Sequence, residues 1–497
     1  MSAFTQWLDS RLLLTAARRA LLDREVPDRL TWWHTLGSAT LTVFAIQVVT
    51  GVMLAMNYAA SPDHAYASVS FIQREVVSGA LVRGIHHWGS SAMVVLVLAH
   101  MIRVFSMGAY KYPREANWML GSLMFLLVMG FGFTGYLLPW DQRAYWATQV
   151  GTSMAGTAPW IGATLATLLR GGSQLGAATL TRFYAFHVLL LPMLLGGLIL
   201  IHLALVIRHG IAPRTKALEQ GAPGRTTDAA YPEYYRKSYA ATKQHGVRFW
   251  PDVVAKDLVA SALVVITLVT LAAAFGAGLE APADPSDNSY VPTPEWYFLP
   301  LYQLLKMVPG SLESVVAVGV PGLLIVTLLA LPLVDTRSRR HLRNRPLAMG
   351  GLVVILGGAG FLFGVAARDR QPVAPAEVGR PLTSSERAGR ALFSHQCAGC
   401  HVVVGLKASE KKVKSKDDGP ELSEIGRRHS TAWLHSFIED PTHFRGDTTR
   451  MAAFGPPVLS HQEIEEVSQY IASLRGPPGA RPKVDIQDTF PAPRKAP

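Results

Sequence analysis

Residues 82–100 read Val82-Arg83-Gly84-Ile85-His86-His87-Trp88-Gly89-Ser90-Ser91-Ala92-Met93-Val94-Val95-Leu96-Val97-Leu98-Ala99-His100. The run is apolar and uninterrupted, and it carries a histidine near each end. A helix turns about 100° per residue and rises 1.5 Å, so fourteen residues bring His100 to within roughly 40° of His86, about 21 Å along the axis. His87 fails this test, standing roughly 140° round the helix from His100. A second apolar run repeats the pattern with His187 and His202, fifteen residues apart, which predicts roughly 60° and about 22 Å. Two such helices, side by side and running the same way, would clamp two stacked haems.

The rest of the chain supplies a membrane for these helices. Of 497 residues, 49% are hydrophobic and only 16% charged, and the apolar residues gather into runs long enough to cross a bilayer. Seven are expected, at about 32–56, 82–106, 117–138, 182–207, 257–279, 315–334 and 347–366. Residues 1–31 carry Arg11, Arg18, Arg19 and Arg24 among leucines, the pattern of a short surface-lying helix.

The net charge of +12 invites a nucleic-acid reading, but its placement argues for topology. Bases concentrate in the second connection (Arg103, Lys111, Arg114), in the fourth (about 208–256, including Arg208, Arg214 and Arg236) and in the sixth (Arg337, Arg339, Arg340, Arg343, Arg345). The fifth carries Glu280, Asp284, Asp287 and Glu295 instead. Basic loops stay on the cytoplasmic side. The N-terminus is therefore expected inside and everything after residue 367 outside, with a bacterial inner membrane as the setting and no nucleic-acid partner.

Glycines share the histidine interval. Gly37 and Gly51 lie fourteen apart on the first span, and Gly121 and Gly135 fourteen apart on the third. A flat, wide porphyrin approaches a helix backbone only where no Cβ intervenes. Singly, each glycine would be a packing residue; four at one interval fit two non-covalent b haems in a four-helix core. Opposed direction of neighbouring spans pairs His86 with His187 near the outer face and His100 with His202 near the inner. Arg83 and Arg103 flank the two levels as candidate propionate partners, or snorkel to the headgroups.

The outer end holds both cysteines, in Cys397-Ala398-Gly399-Cys400-His401, the C-x-x-C-H signature for covalent haem. A disulfide leaves His401 unexplained, zinc needs more ligands, and no thioredoxin-like βαβ pattern surrounds the pair. The sixth iron ligand should be Met or His. Met451, in Thr449-Arg450-Met451-Ala452-Ala453-Phe454 before an expected helix at 460–474, resembles the methionine loop of small class I cytochromes c. Gly419-Pro420 resembles the segment beside the proximal histidine of that family. His429, His435, His443 and His461 are the competing ligands but read rather as solvated surface residues. Lys407–Lys416 reads as a solvated loop, with a docking surface as the weaker option, and residues 477–497 as disordered.

From about residue 26 to 367 the chain resembles cytochrome b of the quinol-oxidising bc and bf complexes. The likeness is carried by the His and Gly pairs, by Gly135-Tyr136-Leu137-Leu138-Pro139-Trp140-Asp141-Gln142, by Thr181-Arg182-Phe183-Tyr184 and, most specifically, by Pro294-Glu295-Trp296-Tyr297. The fifteen-residue interval and seven spans look most like the bf type, with the b-haem part and the subunit IV-like part fused. Thr35 stands where the bf type has a cysteine holding an extra haem, and His87 where the family often has Arg. The resemblance implies an outer quinol site in which Glu295 accepts a proton while Tyr136 and Tyr297 shape the pocket. It also implies a Rieske iron–sulfur partner, an inner quinone site, a downstream cytochrome c or oxidase, and a homodimer.

The expected fold is all-α: a polytopic bundle of seven membrane helices with a four-helix di-haem core, then a small α-helical cytochrome c domain. Its parts are a surface helix (1–31), the di-haem bundle (32–210), a linker (211–250), the subunit IV-like segment (251–367), a second linker (368–385), the c domain (386–476) and a tail (477–497). The alternative function is a haem-bearing membrane anchor of another quinone-linked dehydrogenase.

Overall fold

The computed structural model describes residues 3–12, 15, 18, 22–27, 30–213, 215–244, 246–280, 282–283, 285, 293–369, 382–403, 406, 419–445 and 451–475. The lysine-rich insert, the tail after 475 and most of the 368–385 linker lie outside them. The described residues are mostly helical; Glu25–Val26 pairs antiparallel with Val247–Arg248 as the one two-stranded ladder among them. The chain divides into two units, one of residues 1–139, 148–277 and 295–364, the other of 140–147, 278–294 and 365–497.

The first unit is built on helices long and apolar enough to cross a membrane. Among the described residues there are seven: Trp32–Ala55, Gly79–Ser106, Glu115–Leu137, Ala177–His209, Phe249–Phe275, Val315–Val334 and Pro346–Arg368. Their bounds shift from expectation where capping rather than hydropathy decides. The fifth opens with a kinked turn at Phe249–Val253, in which Trp250 is extended, before the regular helix from Val254, and it stops at Gly276, whose φ of +60° favours glycine. The first span packs on the second and fifth, and the third on the fourth and sixth. Val43, Met93, Val94, Val128, Leu195 and Leu268 form the buried contact between them. Helix Ala3–Leu12 has Phe4 and Trp7 exposed, while Val26 and Leu30 turn inward onto Val253.

At the end carrying the basic loops, Lys111, Arg114, Arg340 and Arg345 are buried rather than solvated. Lys111 is 1% exposed and donates to Asp335 (2.7 Å) and to the carbonyls of Arg337 and Arg339. Arg345 pairs with Asp335 at 3.2 Å, and Tyr110 donates to the same carboxylate. Arg340, also 1% exposed, donates to the carbonyls of Gly108 and Tyr112 and to Tyr231. Burial pushes Lys111 down to about 8 although Asp335 pulls the other way. Burial would raise Asp335, but hydrogen bonds from Lys111 and Tyr110 and the charges of Lys111 and Arg345 outweigh it and hold it low. The second, fourth and sixth connections are thereby stitched together.

The second unit contains a small helical core. Helices Ser384–Gln396, Thr431–Glu439 and His461–Ser473 close on Phe393, Ile464, Val467, Tyr470 and Leu474, each fully buried. The first and third start with reciprocal capping boxes, Thr383 with Glu386 and Ser460 with Glu463, which satisfy the free N–H groups of the first turn. In the same unit Asp141 accepts from the N–H groups of Ala144 (2.8 Å) and Glu280 (3.0 Å), and Arg143 donates to the carbonyl of Thr293.

Candidate haem and quinol sites

The four histidines meet in the pairs expected. The rings of His86 and His187 face each other with centroids 6.3 Å apart, and His100 and His202 are electrostatic neighbours. Two metal–nitrogen bonds of about 2 Å, with a ring radius at either end, span a gap of that size. None of the four Nε2 atoms has a hydrogen-bond partner among the described residues.

The fifteen-residue interval on the fourth span has a local explanation. At Phe186–Leu190 the helix widens into a π-turn, in which the Leu191 N–H reaches back five residues to the Phe186 carbonyl. One residue is absorbed there, so His187 and His202 stand as if fourteen apart, matching His86 and His100. The roughly 60° offset expected from a uniform helix is thus reduced to roughly 40°.

Two threonines that the sequence pattern did not single out fix the His86–His187 pair. Thr50 donates its hydroxyl to the Ile46 carbonyl (2.7 Å), and Thr134 donates to that of Gly130 (2.8 Å). A hydroxyl has one hydrogen, so each presents a lone pair to its histidine: His86 Nδ1 lies 2.9 Å from Thr50, and His187 Nδ1 3.1 Å from Thr134. The proton is therefore on Nδ1 and Nε2 is free to bind a metal. The available signal was a repeated Thr-Gly dipeptide, Thr50-Gly51 and Thr134-Gly135.

The glycines lie against the imidazoles themselves. A Cβ on Gly51 would stand 3.3 Å from His86 Cε1, on Gly37 3.3 Å from His100 Cε1, on Gly121 3.9 Å from His202 Cε1, and on Gly135 2.5 Å from His187 Cε1. They make room for the histidine rings, an additional reason for the shared interval.

Of the two arginines, Arg83 donates to Gln73 (2.5 Å) and to the Ala277 carbonyl (2.7 Å). Arg103 keeps Nε and one terminal nitrogen buried without a partner among the described residues, which suits an anionic group such as a propionate. Thr35 is buried and donates to the Trp32 carbonyl within its own turn. His87 packs edge-on against Trp88.

The Pro-Glu-Trp-Tyr motif reaches the His86–His187 pair through the third span. Gly132 admits the Tyr297 hydroxyl, where a Cβ would meet it at 2.7 Å, while Phe131 rests edge-on against His187 and Thr134 holds its Nδ1. One helical turn thus serves both the outer histidine and the motif. Trp296 donates to Ser91 (3.2 Å), and Glu295 is half-buried. Tyr136 lies in the last turn of the same span, and two residues on the Leu138 carbonyl accepts from Tyr58 at 2.7 Å. Near the opposite end, Ser38 follows Gly37 and donates to Asp257 on the fifth span (2.7 Å).

In the second unit, Cys397 and Cys400 follow the first helix with both thiols free. Burial pushes Cys397 up to about 11, helped by Cys400, the reverse of the depressed pKa a thiol-redox site needs. His401 Nδ1 lies 2.9 Å from the Pro420 carbonyl, which makes Nδ1 the donor and puts the lone pair on Nε2. Met451 packs half-buried against the domain core. His443 and His461 are exposed, whereas His429 is half-buried and stacked on Trp433 at 3.6 Å, a contact that covers one face of its ring.

This is the architecture of a membrane-bound cytochrome with a cytochrome c domain appended. Residues 21–210 match the family described as cytochrome b/b6/petB, 282–379 that of cytochrome b(C-terminal)/b6/petD, and 386–475 that of cytochrome c. The chain is 44% identical over 214 residues to the menaquinol:cytochrome c reductase cytochrome b subunit of Geobacillus thermodenitrificans, covering 41% of this chain and 96% of that one. It is 34% identical over 359 residues to the cytochrome bc complex cytochrome b subunit of Chlorobaculum thiosulfatiphilum, covering 71% and 78%. A solved structure titled hyperthermophilic respiratory Complex III superposes with a TM-score of 0.62 at 27% identity, over 73% of this chain and 91% of that one. The chain belongs to the cytochrome b/b6 family; it is a multi-pass membrane protein whose cytochrome b and c domains indicate haem binding.

Proposed function

We propose that this chain is the cytochrome b/c subunit of a quinol:cytochrome c oxidoreductase, with one non-covalent b haem between His86 and His187, another between His100 and His202, and a covalent c haem on Cys397 and Cys400 ligated by His401 and Met451. The observation that carries the reading is the outer histidine pair, its Nε2 atoms free and its Nδ1 atoms anchored, one helical turn from Tyr297. Bound haem supplies one-electron acceptors about 20 Å apart across the membrane.

Glu295 takes the quinol hydroxyl proton and releases it on the outer side. Tyr136 and Tyr297 shape the pocket, and Ser91 holds Trp296 so that the carboxylate next to it keeps its direction. At the inner level Asp257, held by Ser38 beside the Gly37–His100 contact, is the acid best placed to protonate a reduced quinone. Arg103 neutralises a propionate there.

A Rieske centre needs two Cys and two His ligands, and both cysteines of this chain belong to the C-x-x-C-H run. The iron–sulfur acceptor is therefore on a partner, from which the c domain collects the second electron for a downstream cytochrome c or oxidase. The basic loops face the cytoplasm and the c domain the outside of a bacterial inner membrane, and the complex is a homodimer.

Replacing Glu295 with Gln tests the chemistry. Quinol-driven turnover of the purified complex should fall about 100-fold or more, the range of a lost general base, while both b-haem spectra persist. Unchanged turnover would exclude the proton role.

A further inference from the structure

The two histidine levels differ in what stands behind the imidazoles. At the outer level each Nδ1 faces a threonine oxygen whose own hydrogen is committed to the helix backbone. At the inner level the residues in the corresponding places, before Gly37 and Gly121, are Leu36 and Leu120. Among the described residues, His100 Nδ1 and His202 Nδ1 are buried without a side-chain hydroxyl behind them, and the one polar group near His202 is the backbone of Asn117, a weak acceptor that stays short of a full hydrogen bond to Nδ1. Thr50 and Thr134 are themselves buried, at 6% and 8% exposure, so water does not substitute for their hydroxyls.

An acceptor behind Nδ1–H makes an imidazole a stronger donor to the metal on its other nitrogen. Stronger donation favours the more highly charged, oxidised iron. We infer that Thr50 and Thr134 are tuning residues that lower the reduction potential of the outer haem relative to the inner one, and so set the direction of electron flow across the membrane. The inference rests on the outer pair being haem ligands. It assigns the asymmetry to two hydroxyls, where a purely structural account would see only threonines bonding back to their own helix.

The test is a potentiometric titration of the b haems in the intact complex, for the wild type and for Thr50→Val, Thr134→Val and the double variant, with Thr50→Ser and Thr134→Ser as controls. Valine keeps the shape and removes the acceptor; serine keeps the acceptor. The lower-potential component should move up in each valine variant and furthest in the double. In the double, electron sharing between the two haems should change about tenfold, which is 59 mV for one electron. The higher component should stay, and serine should restore the lower one. Equal movement of both components, or none, would overturn the inference. Loss of the outer haem from the valine variants, in place of a shifted potential, would make the threonines structural and overturn it as well. A wild-type complex without loose haem would instead fail the ligand reading on which it rests.

Discussion

Gly135 and Gly121 hold equivalent places on the third span but leave different room. A methyl on Gly135 would drive into the His187 ring at 2.5 Å, whereas on Gly121 it would reach His202 only at 3.9 Å, an ordinary contact. Gly135→Ala should therefore broaden or abolish the outer b-haem signal in low-temperature absorbance or EPR spectra. Gly121→Ala should leave the inner one in place, and equal damage by both would contradict the packing described. The interval of these glycines could be read from the sequence, because a fourteen-residue repeat survives any detail of side-chain placement. Their contact with imidazoles could not, and neither could the threonine anchors, since a hydroxyl beside a glycine in an apolar helix ordinarily just bonds to its own backbone.

At the scale of elements, the fourth span shows where helical periodicity is an incomplete guide. The apolar run foretold a span and its two histidines, but a uniform turn per residue misplaces one of them. The π-turn at Phe186–Leu190 corrects this, and nothing in the composition of those residues announces it. Deleting Leu189, an exposed residue inside the widened turn, should convert it to regular helix and leave both b haems bound. Inserting one alanine after Gly197, in regular helix, should swing His202 roughly 100° away and remove the inner haem. Haem stoichiometry and the two α-bands decide between these outcomes; retention of the inner haem in the insertion variant would contradict the register. The fifth span began earlier than hydropathy suggested for a related reason, since Pro251 and the paired segment Val247–Arg248 define its start.

For the whole molecule, the basic loops illustrate how the same residues carry two roles. Their sequence spoke of topology; the structure also buries several of them in a network on Asp335 that ties the b-type part to the following segment. The partners of Lys111 lie more than two hundred residues away, a distance no local pattern reveals. Asp335→Ala should lower stability by about 3 kcal/mol, because a buried ammonium is left uncompensated, and differential scanning fluorimetry in detergent would record it. Since the folded Asp335 carboxyl is held below its unfolded value, its contribution is present above about pH 4 and is lost as pH falls through the folded value. The acid limb of the wild-type stability profile should therefore be flattened in Asp335→Ala. The central claim, that the histidine ladder holds two haems while the C-x-x-C-H run holds a third, is tested most directly by pyridine haemochrome spectra of the membrane-purified complex before and after acid–acetone extraction. Two extractable b haems for each c haem retained by this chain are predicted; retained c haem with nothing extracted from this chain would contradict it.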